Sequence, residues 1–163
     1  MGDPLYDQDF YLWSQDQARR LRALKGDNRL DTDNLAEEVA DLGRSELNKA
    51  LSHLRQALVH ILKAAAVDDP QLLAGWTAEV LHHLDEAQDS FTPGMRQQID
   101  LDRASGTRLS GRRRPNWPRI GEAGLPAWIA CPFTLDELFD PAFEIDAAIT
   151  RVRAALQADE PGA

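Results

Sequence analysis

The stretch from Asp31 to Val67 restricts the fold most, because it contains no proline and its apolar residues recur at helical spacing. We expect one helix of about 35 residues here, about 50 Å long at a rise of about 1.5 Å per residue. Asp31 can cap its start, and acidic residues follow near the positive end of the helix dipole. The sequence therefore predicts one long central helix.

This helix is predicted to change its buried face along its length. With residues about 100° apart, Leu35, Val39 and Leu42 point in one direction. A second apolar set points about 90° away and comprises Leu47, Leu51, Leu54, Leu58, Ile61 and Leu62. The change falls at Gly43, whose cost of about 1 kcal/mol relative to alanine is too small to end a helix. We predict a continuous helix with two different buried faces; the alternative is a bend or break at Gly43, with Ser45 as a new cap.

Capping residues and prolines mark the other helices. An apolar repeat over 7–25 predicts a first helix capped by Asp7. Asp69-Pro70 and Thr92-Pro93 each place a capping residue before a proline, which is the usual start of a helix. The second of these starts is expected to open a helix that runs to about residue 104.

The C-terminal part combines an irregular segment with two further helix starts. Residues 105–132 contain four prolines and four glycines, and we expect an irregular Arg/Pro-rich loop before the last helices. Thr134 and Glu137 form a capping box, and Asp140-Pro141 is expected to open an additional helix over 141–158. The predicted fold class is all-α: a bundle of four to six helices in a single domain over 1–163.

Composition excludes several classes of protein. The net charge of −9 argues against a general affinity for nucleic acid or anionic membranes. No apolar run approaches the about 20 residues that cross a bilayer, and the first residues lack the pattern of a secretory signal. The single cysteine, Cys131, cannot form an internal disulfide and is interpreted as a structural thiol. We expect an acidic cytoplasmic protein.

Histidines and a glutamate supply the candidate metal ligands. Glu79 and His82 have Glu-x-x-His spacing, and His83 lies one turn after Glu79. His53 and His60, seven residues apart on the long helix, can add ligands from a facing helix. The ligand set favoured for a divalent metal is His60, Glu79 and His83, and no other cofactor is predicted. Packed histidines at the edge of the core explain the same pattern, so both interpretations stay open.

An arginine cluster is the candidate nucleic-acid contact. Arg112, Arg113, Arg114 and Trp117 combine positive charge with an aromatic ring, as contacts to single-stranded nucleic acid do. Between residues 108 and 119 there are five arginines and no acidic residue. So few charges predict weak, salt-sensitive binding, and the loop can equally dock on acidic faces of the protein itself.

Several segments of the chain form a recognisable series: Tyr6–Trp13, Asn34–Val39 continuing through Leu42–Glu46, Leu58–Lys63, Trp76 and Cys131–Leu138. Together these segments resemble a known bacterial family, the one labelled "domain of unknown function 29". They occur in this order over residues 6–140. The resemblance implies an all-helical fold and no established activity.

The same segments contain the candidate catalytic residues Glu38, Arg44 and His60. Acid/base chemistry uses such groups, but a buried polar network and the helix dipole explain the carboxylates as well. Because no complete catalytic set is visible, the first functional hypothesis is a non-enzymatic interaction module that binds a protein partner or a second copy of itself. The alternatives are a metal-dependent enzyme with a His/Glu site inside the bundle and weak nucleic-acid contact.

Overall fold

The computed structural model describes residues 2–24, 29–67, 69–104 and 130–158, and every regular element in these ranges is helical. The elements are α1 (Pro4–Gln8), α2 (Phe10–Ala23), α3 (Thr32–Ala66), α4 (Pro70–Ser90), a 3₁₀ helix (Pro93–Gln98), α5 (Leu101–Ala104), α6 (Leu135–Leu138) and α7 (Ile145–Ala158). The all-α prediction with one long central helix is confirmed. Within the same ranges, no helix is long and apolar enough to cross a membrane.

The chain divides into two compact units. The first unit comprises Met1–Leu51 and Asp89–Ile99, and the second unit comprises Ser52–Gln88 and Asp100–Ala163. Helix α3 therefore contributes its first half to the first unit and its second half to the second unit.

The predicted starts of the two longest helices are confirmed. Helix α3 is unbroken across Gly43, and Asp31 caps it by accepting a hydrogen bond from the Asn34 N–H at 3.3 Å. Helix α4 begins at Pro70, and the Asp69 carboxylate accepts from the Gln71 N–H at 2.9 Å. In both cases a local side chain satisfies a backbone donor that the first helical turn leaves unpaired.

The buried face predicted for the first half of α3 is wrong. Leu35 and Leu42 are 41% and 54% exposed. The buried positions are Ala36, Ala40 and Gly43, one residue further along. Ala36 and Ala40 form a small core cluster with Ala18 of α2, and Gln15 of α2 donates to the Ala40 carbonyl at 3.2 Å. Small side chains let the two helices approach closely, so the contact face follows size rather than hydrophobicity.

The N-terminal cap also differs from the prediction. Asp9, rather than Asp7, caps α2, and its carboxylate accepts from the Leu12 N–H at 2.9 Å. Asp9 is buried and accepts two further hydrogen bonds, from the Thr92 hydroxyl at 2.8 Å and from the Gly94 N–H at 2.7 Å. Because Asp9 takes the Gly94 N–H, the Thr92 side chain makes no capping hydrogen bond at the helix predicted to follow it. That helix is replaced by the 3₁₀ helix and the four-residue α5.

The second unit buries apolar residues from four helices, α3, α4, α6 and α7. They are Leu54, Ala57, Leu58, Ile61, Leu62, Ala64, Ala65, Val80, Leu84, Ala87, Leu135, Leu138, Ile145, Ala148, Ile149 and Val152. Ile61 and Val80 are completely inaccessible to solvent. The hairpin of α3 and α4 in this unit therefore buries one continuous apolar side. This burial determines which residues of the two helices face each other.

The C-terminal helices begin partly as predicted. The capping box of Thr134 and Glu137 is present at α6 and is confirmed. A hydrogen bond from Arg151 lowers the pKa of Glu137 from 4.5 to about 2, and the Thr134 N–H adds to the effect. The last helix begins at Ile145 rather than at residue 141. Asp140 instead closes a turn, in which its carbonyl accepts from the Phe143 N–H at 2.9 Å.

Candidate metal centre

The four histidines of the chain form one cluster in the second unit. His53 and His60 lie on α3, and His82 and His83 lie on α4. The His83 ring centroid is 5.3 Å from that of His53, 5.9 Å from that of His60 and 5.1 Å from that of His82. Every histidine in the sequence therefore lies at one place in the second unit.

Helical spacing explains why these side chains meet. His53 and His60 are two turns apart on one side of α3, and Glu79 and His83 are one turn apart on α4. The completely buried Ile61 and Val80 follow His60 and Glu79 directly in sequence, so these two ligand positions lie next to the apolar core. The histidine row consequently lies at the border of the apolar face, where His83 retains 17% side-chain exposure.

Three side chains form a set with the spacing of metal ligands. One ligand atom from each of His60, Glu79 and His83 lies within 4.8 Å of the other two. His83 Nε2 and Glu79 Oε2 are 3.6 Å apart. In a tetrahedral site with bonds of about 2.0–2.1 Å, ligand atoms lie about 3.4 Å from each other. The Glu79–His83 pair already has nearly this separation, and Glu79 is 53% exposed, so its carboxylate has room to rotate.

The protonation of the two histidines suits a cation. Burial lowers the pKa of His60 below its ordinary value of 6.5, and the positive charge of Lys63 lowers it further. Burial also lowers the pKa of His83, with added repulsion from His53 and His82. Both rings are therefore neutral at pH 7, and a neutral imidazole is the form that binds a metal ion.

His60 has an unsatisfied ring nitrogen. Its Nδ1 is buried and has no hydrogen-bond partner in the part of the chain that the structure describes. An unpaired buried polar atom costs about 1–3 kcal/mol, so such atoms are few in folded proteins and point to a bound ion or water. The orphaned nitrogen belongs to the same side chain that joins Glu79 and His83.

The structure thus brings together the predicted set of His60, Glu79 and His83. Of the Glu-x-x-His pair on α4, only Glu79 belongs to the ligand set, because His82 is exposed and lies outside it. His53, predicted as a possible further ligand from the facing helix, contacts His83 instead, with their Nδ1 atoms 3.0 Å apart, and lies outside the ligand set. The signal in the sequence is that His53 lies two turns before His60 on the same side of α3.

The other predicted site residues fall elsewhere. Glu38 and Arg44 belong to the first unit and are exposed, and Arg44 forms an ion pair with Asp41 on its own helix. Neither residue belongs to the ligand set that contains His60, so a catalytic role for Glu38 or Arg44 stays a prediction. Arg112, Arg113, Arg114 and Trp117 lie outside the described residues, so nucleic-acid contact stays a prediction.

Two further features of the second unit offer less chemistry. An open cavity of about 340 Å³ lies beside α6 and α7, but no histidine lines it, and its Arg151 is already paired with Glu137. Cys131 is half-buried, and burial raises the pKa of its thiol above the usual range. A protonated thiol is a poor nucleophile, which agrees with the interpretation of Cys131 as structural.

Comparisons with known proteins support the fold and name no activity. The sequence profile of a family described as "Domain of unknown function DUF29" matches residues 5–144. A crystal structure of an α-helical protein of unknown function from Rhodospirillum rubrum ATCC 11170 is 32% identical to this chain, with a TM-score of 0.67. That similarity covers 92% of this chain and 98% of the other. No curated protein matches the sequence.

Proposed function

Because the chain belongs to the family described as "Domain of unknown function DUF29", whose description names no activity, we propose a function from its own geometry: His60, Glu79 and His83 bind a divalent transition-metal ion. The observation that carries this proposal is the approach of three ligand atoms, all within 4.8 Å of one another. The neutral state of the two imidazoles and the orphaned Nδ1 of His60 support it.

The chemistry of the donors narrows the choice of ion. Two imidazole nitrogens and one carboxylate suit zinc and other late first-row metals, whereas Mg²⁺ and Ca²⁺ prefer oxygen ligands alone. Three protein ligands leave at least one coordination position for water or a substrate, as in catalytic zinc sites and unlike closed structural ones. A metal-bound water can ionise near neutral pH, so hydrolytic chemistry is the activity that such a centre would supply.

Zinc titration of chelator-treated protein tests the proposal. We expect one Zn²⁺ per chain by calorimetry, and binding weakened at least about 100-fold in His60→Ala and in His83→Ala, since each loses a direct ligand rather than an outer-shell partner. His82→Ala is the matched control, because His82 neighbours His83 but is exposed and outside the set. Absence of stoichiometric binding, or equal weakening in all three variants, would overturn the proposal.

A second candidate function is self-association through α3. Leu35 and Leu42 are exposed two turns apart on one side of this helix, with the half-buried Val39 between them. Exposed apolar stripes on a helix are typical of protein–protein contacts. A second copy of the chain is the partner we infer, because such a stripe can pair with itself across a two-fold axis.

Sedimentation velocity checks this second candidate. We expect a dimer for the wild type at about 100 µM, the range of a weak homodimer, and a monomer for Leu35→Ser/Leu42→Ser. The matched control is Leu72→Ser/Leu81→Ser, which removes two leucines that are 40% and 50% exposed on α4. A wild type that stays monomeric, or a dimer that survives the α3 substitutions, contradicts self-association through this face.

A further inference from the structure

His53 contacts the ligand set without belonging to it. Its Nδ1 lies 3.0 Å from Nδ1 of His83, which is hydrogen-bond distance. His53 is half-buried on α3, whereas His83 is on α4, so the contact joins the two helices of the hairpin. Its ring is tilted by 42° from that of His83 at a centroid distance of 5.3 Å. The ligand spacing alone does not explain why this fourth side chain is placed here.

A hydrogen bond between two ring nitrogens requires that one of them carries the proton. A neutral imidazole has one N–H and one free lone pair. If His83 carried its proton on Nε2, the atom that faces Glu79 would be a donor and could not bind a metal. If His83 carries it on Nδ1, this N–H donates to His53 Nδ1, and the lone pair of Nε2 is free.

The surroundings of His83 favour the second arrangement. Nδ1 lies 3.0 Å from Nδ1 of His53, within hydrogen-bond distance, whereas Nε2 lies 3.6 Å from the Glu79 carboxylate, so a proton on Nε2 would have no hydrogen-bond partner there. Histidines that bind metals usually donate their other ring N–H to a nearby acceptor, which fixes the tautomer and the orientation of the ring. Here that acceptor is a second histidine, which then carries its own proton on Nε2.

We propose that His53 is a positioning residue, which holds His83 in the Nδ1–H tautomer by accepting its hydrogen bond and so directs the Nε2 lone pair towards Glu79 and His60. The role in metal binding rests on the function proposed above. The tautomer itself is a property of the metal-free protein, because the hydrogen bond between the two rings involves no ion.

Long-range ¹⁵N–¹H NMR of the metal-free protein at pH 7.5 tests the proposal, since it distinguishes the two ring nitrogens of each histidine. We expect the Nδ1–H pattern for His83 in the wild type and a change to the Nε2–H pattern in His53→Leu. In His53→Asn the side-chain amide oxygen can take the place of the imidazole acceptor, so His83 should keep the wild-type pattern. If His53 served only for packing, its substitution would leave the tautomer pattern of His83 unchanged.

Zinc affinity provides the second readout. We expect His53→Leu to weaken Zn²⁺ binding about 10–100-fold, as loss of an outer-shell partner does, and His53→Asn to restore most of it. Circular dichroism of each variant confirms that the helices are intact.

The two readouts separate the two proposals. An Nε2–H tautomer of His83 in the wild type, or a tautomer that His53→Leu leaves unchanged, overturns the role of His53 whether or not zinc binds. Absence of zinc binding together with the expected tautomers overturns the metal centre and the positioning role in it, and leaves only the hydrogen-bond assignment.

Discussion

Gly43→Ala is expected to destabilise the protein by about 1 kcal/mol, although alanine is the better helix former. A Cβ at this position would overlap Ser14 Oγ and lie 3.1 Å from Ser14 Cβ and 3.2 Å from Gln15 Nε2. Ser14 is completely buried, and its hydroxyl donates to the Tyr11 carbonyl at 2.8 Å, so it cannot turn away without losing that bond. Overpacking of this kind costs about 1–3 kcal/mol, against a gain of about 1 kcal/mol from helix propensity.

Gly75→Ala is the matched control for this substitution. Gly75 lies inside α4, and a Cβ there meets nothing within 4 Å. The same change should therefore stabilise the protein by about 0.5–1 kcal/mol. Urea unfolding followed by circular dichroism measures both variants. A Gly43→Ala protein as stable as Gly75→Ala would show that α2 and α3 do not meet as closely as their small residues indicate.

A double variant identifies the cause of the loss. Ser14→Ala removes the hydroxyl that the new methyl group would overlap, so adding it to Gly43→Ala should recover part of the lost stability. The two substitutions touch the same contact, and the free energies of unfolding should be non-additive by more than about 0.5 kcal/mol. Additive losses would assign the cost of Gly43→Ala to something other than contact with Ser14.

Local signals in the sequence predicted those features that depend on neighbouring residues. The caps at Asp31, Asp69 and Thr134 are confirmed because each needs only a side chain and a backbone N–H two or three residues away. The side-chain cap predicted at Thr92 is absent, although a 3₁₀ helix does begin at Pro93. The Gly94 N–H donates instead to Asp9, 85 residues earlier in the chain. Competition from a distant partner leaves no mark on the local pattern.

The buried face of α3 shows a second limit of sequence patterns. Hydrophobicity favoured Leu35 and Leu42, but burial follows Ala36, Ala40 and Gly43. The free energy of close helix packing depends on how near two backbones can approach, and a scale of hydrophobicity ranks alanine and glycine low for this purpose. The candidate face was therefore displaced by one residue, while the leucine-rich second half of α3 was predicted well.

The metal ligands could be predicted from their spacing in the sequence, whereas the hydrogen bond between His83 and His53 could not. Helical periodicity places Glu79 and His83 on one side of α4 and His60 on a helix able to face them. The hydrogen bond from His83 to His53 depends on how the two helices are rotated about their axes. Sequence separation does not fix that rotation, so the outer part of a site is harder to predict than its ligands.

Saturating zinc is expected to stabilise the second unit by about 4 kcal/mol when its free concentration is about 1,000 times the dissociation constant, because an ion that binds only the folded state adds its binding free energy to folding. The ion would link α3 to α4 through His60 and His83, so unfolding of either helix would destroy the site and lose the binding free energy. Thermal unfolding with zinc and with chelator measures the difference, and hydrogen exchange should show the greatest added protection over residues 52–88.

The comparison that decides this prediction is between variants rather than between conditions. A chain of net charge −9 can hold zinc weakly on its surface, and such ions would raise the unfolding temperature of every variant alike. Zinc should therefore stabilise the wild type and His82→Ala but not His60→Ala/His83→Ala, and Mg²⁺ should stabilise none of them through this site. An equal zinc effect in the double variant would place the ion elsewhere. An effect confined to proteins with both ligands would make the three-residue cluster a binding centre rather than a packed edge of the core.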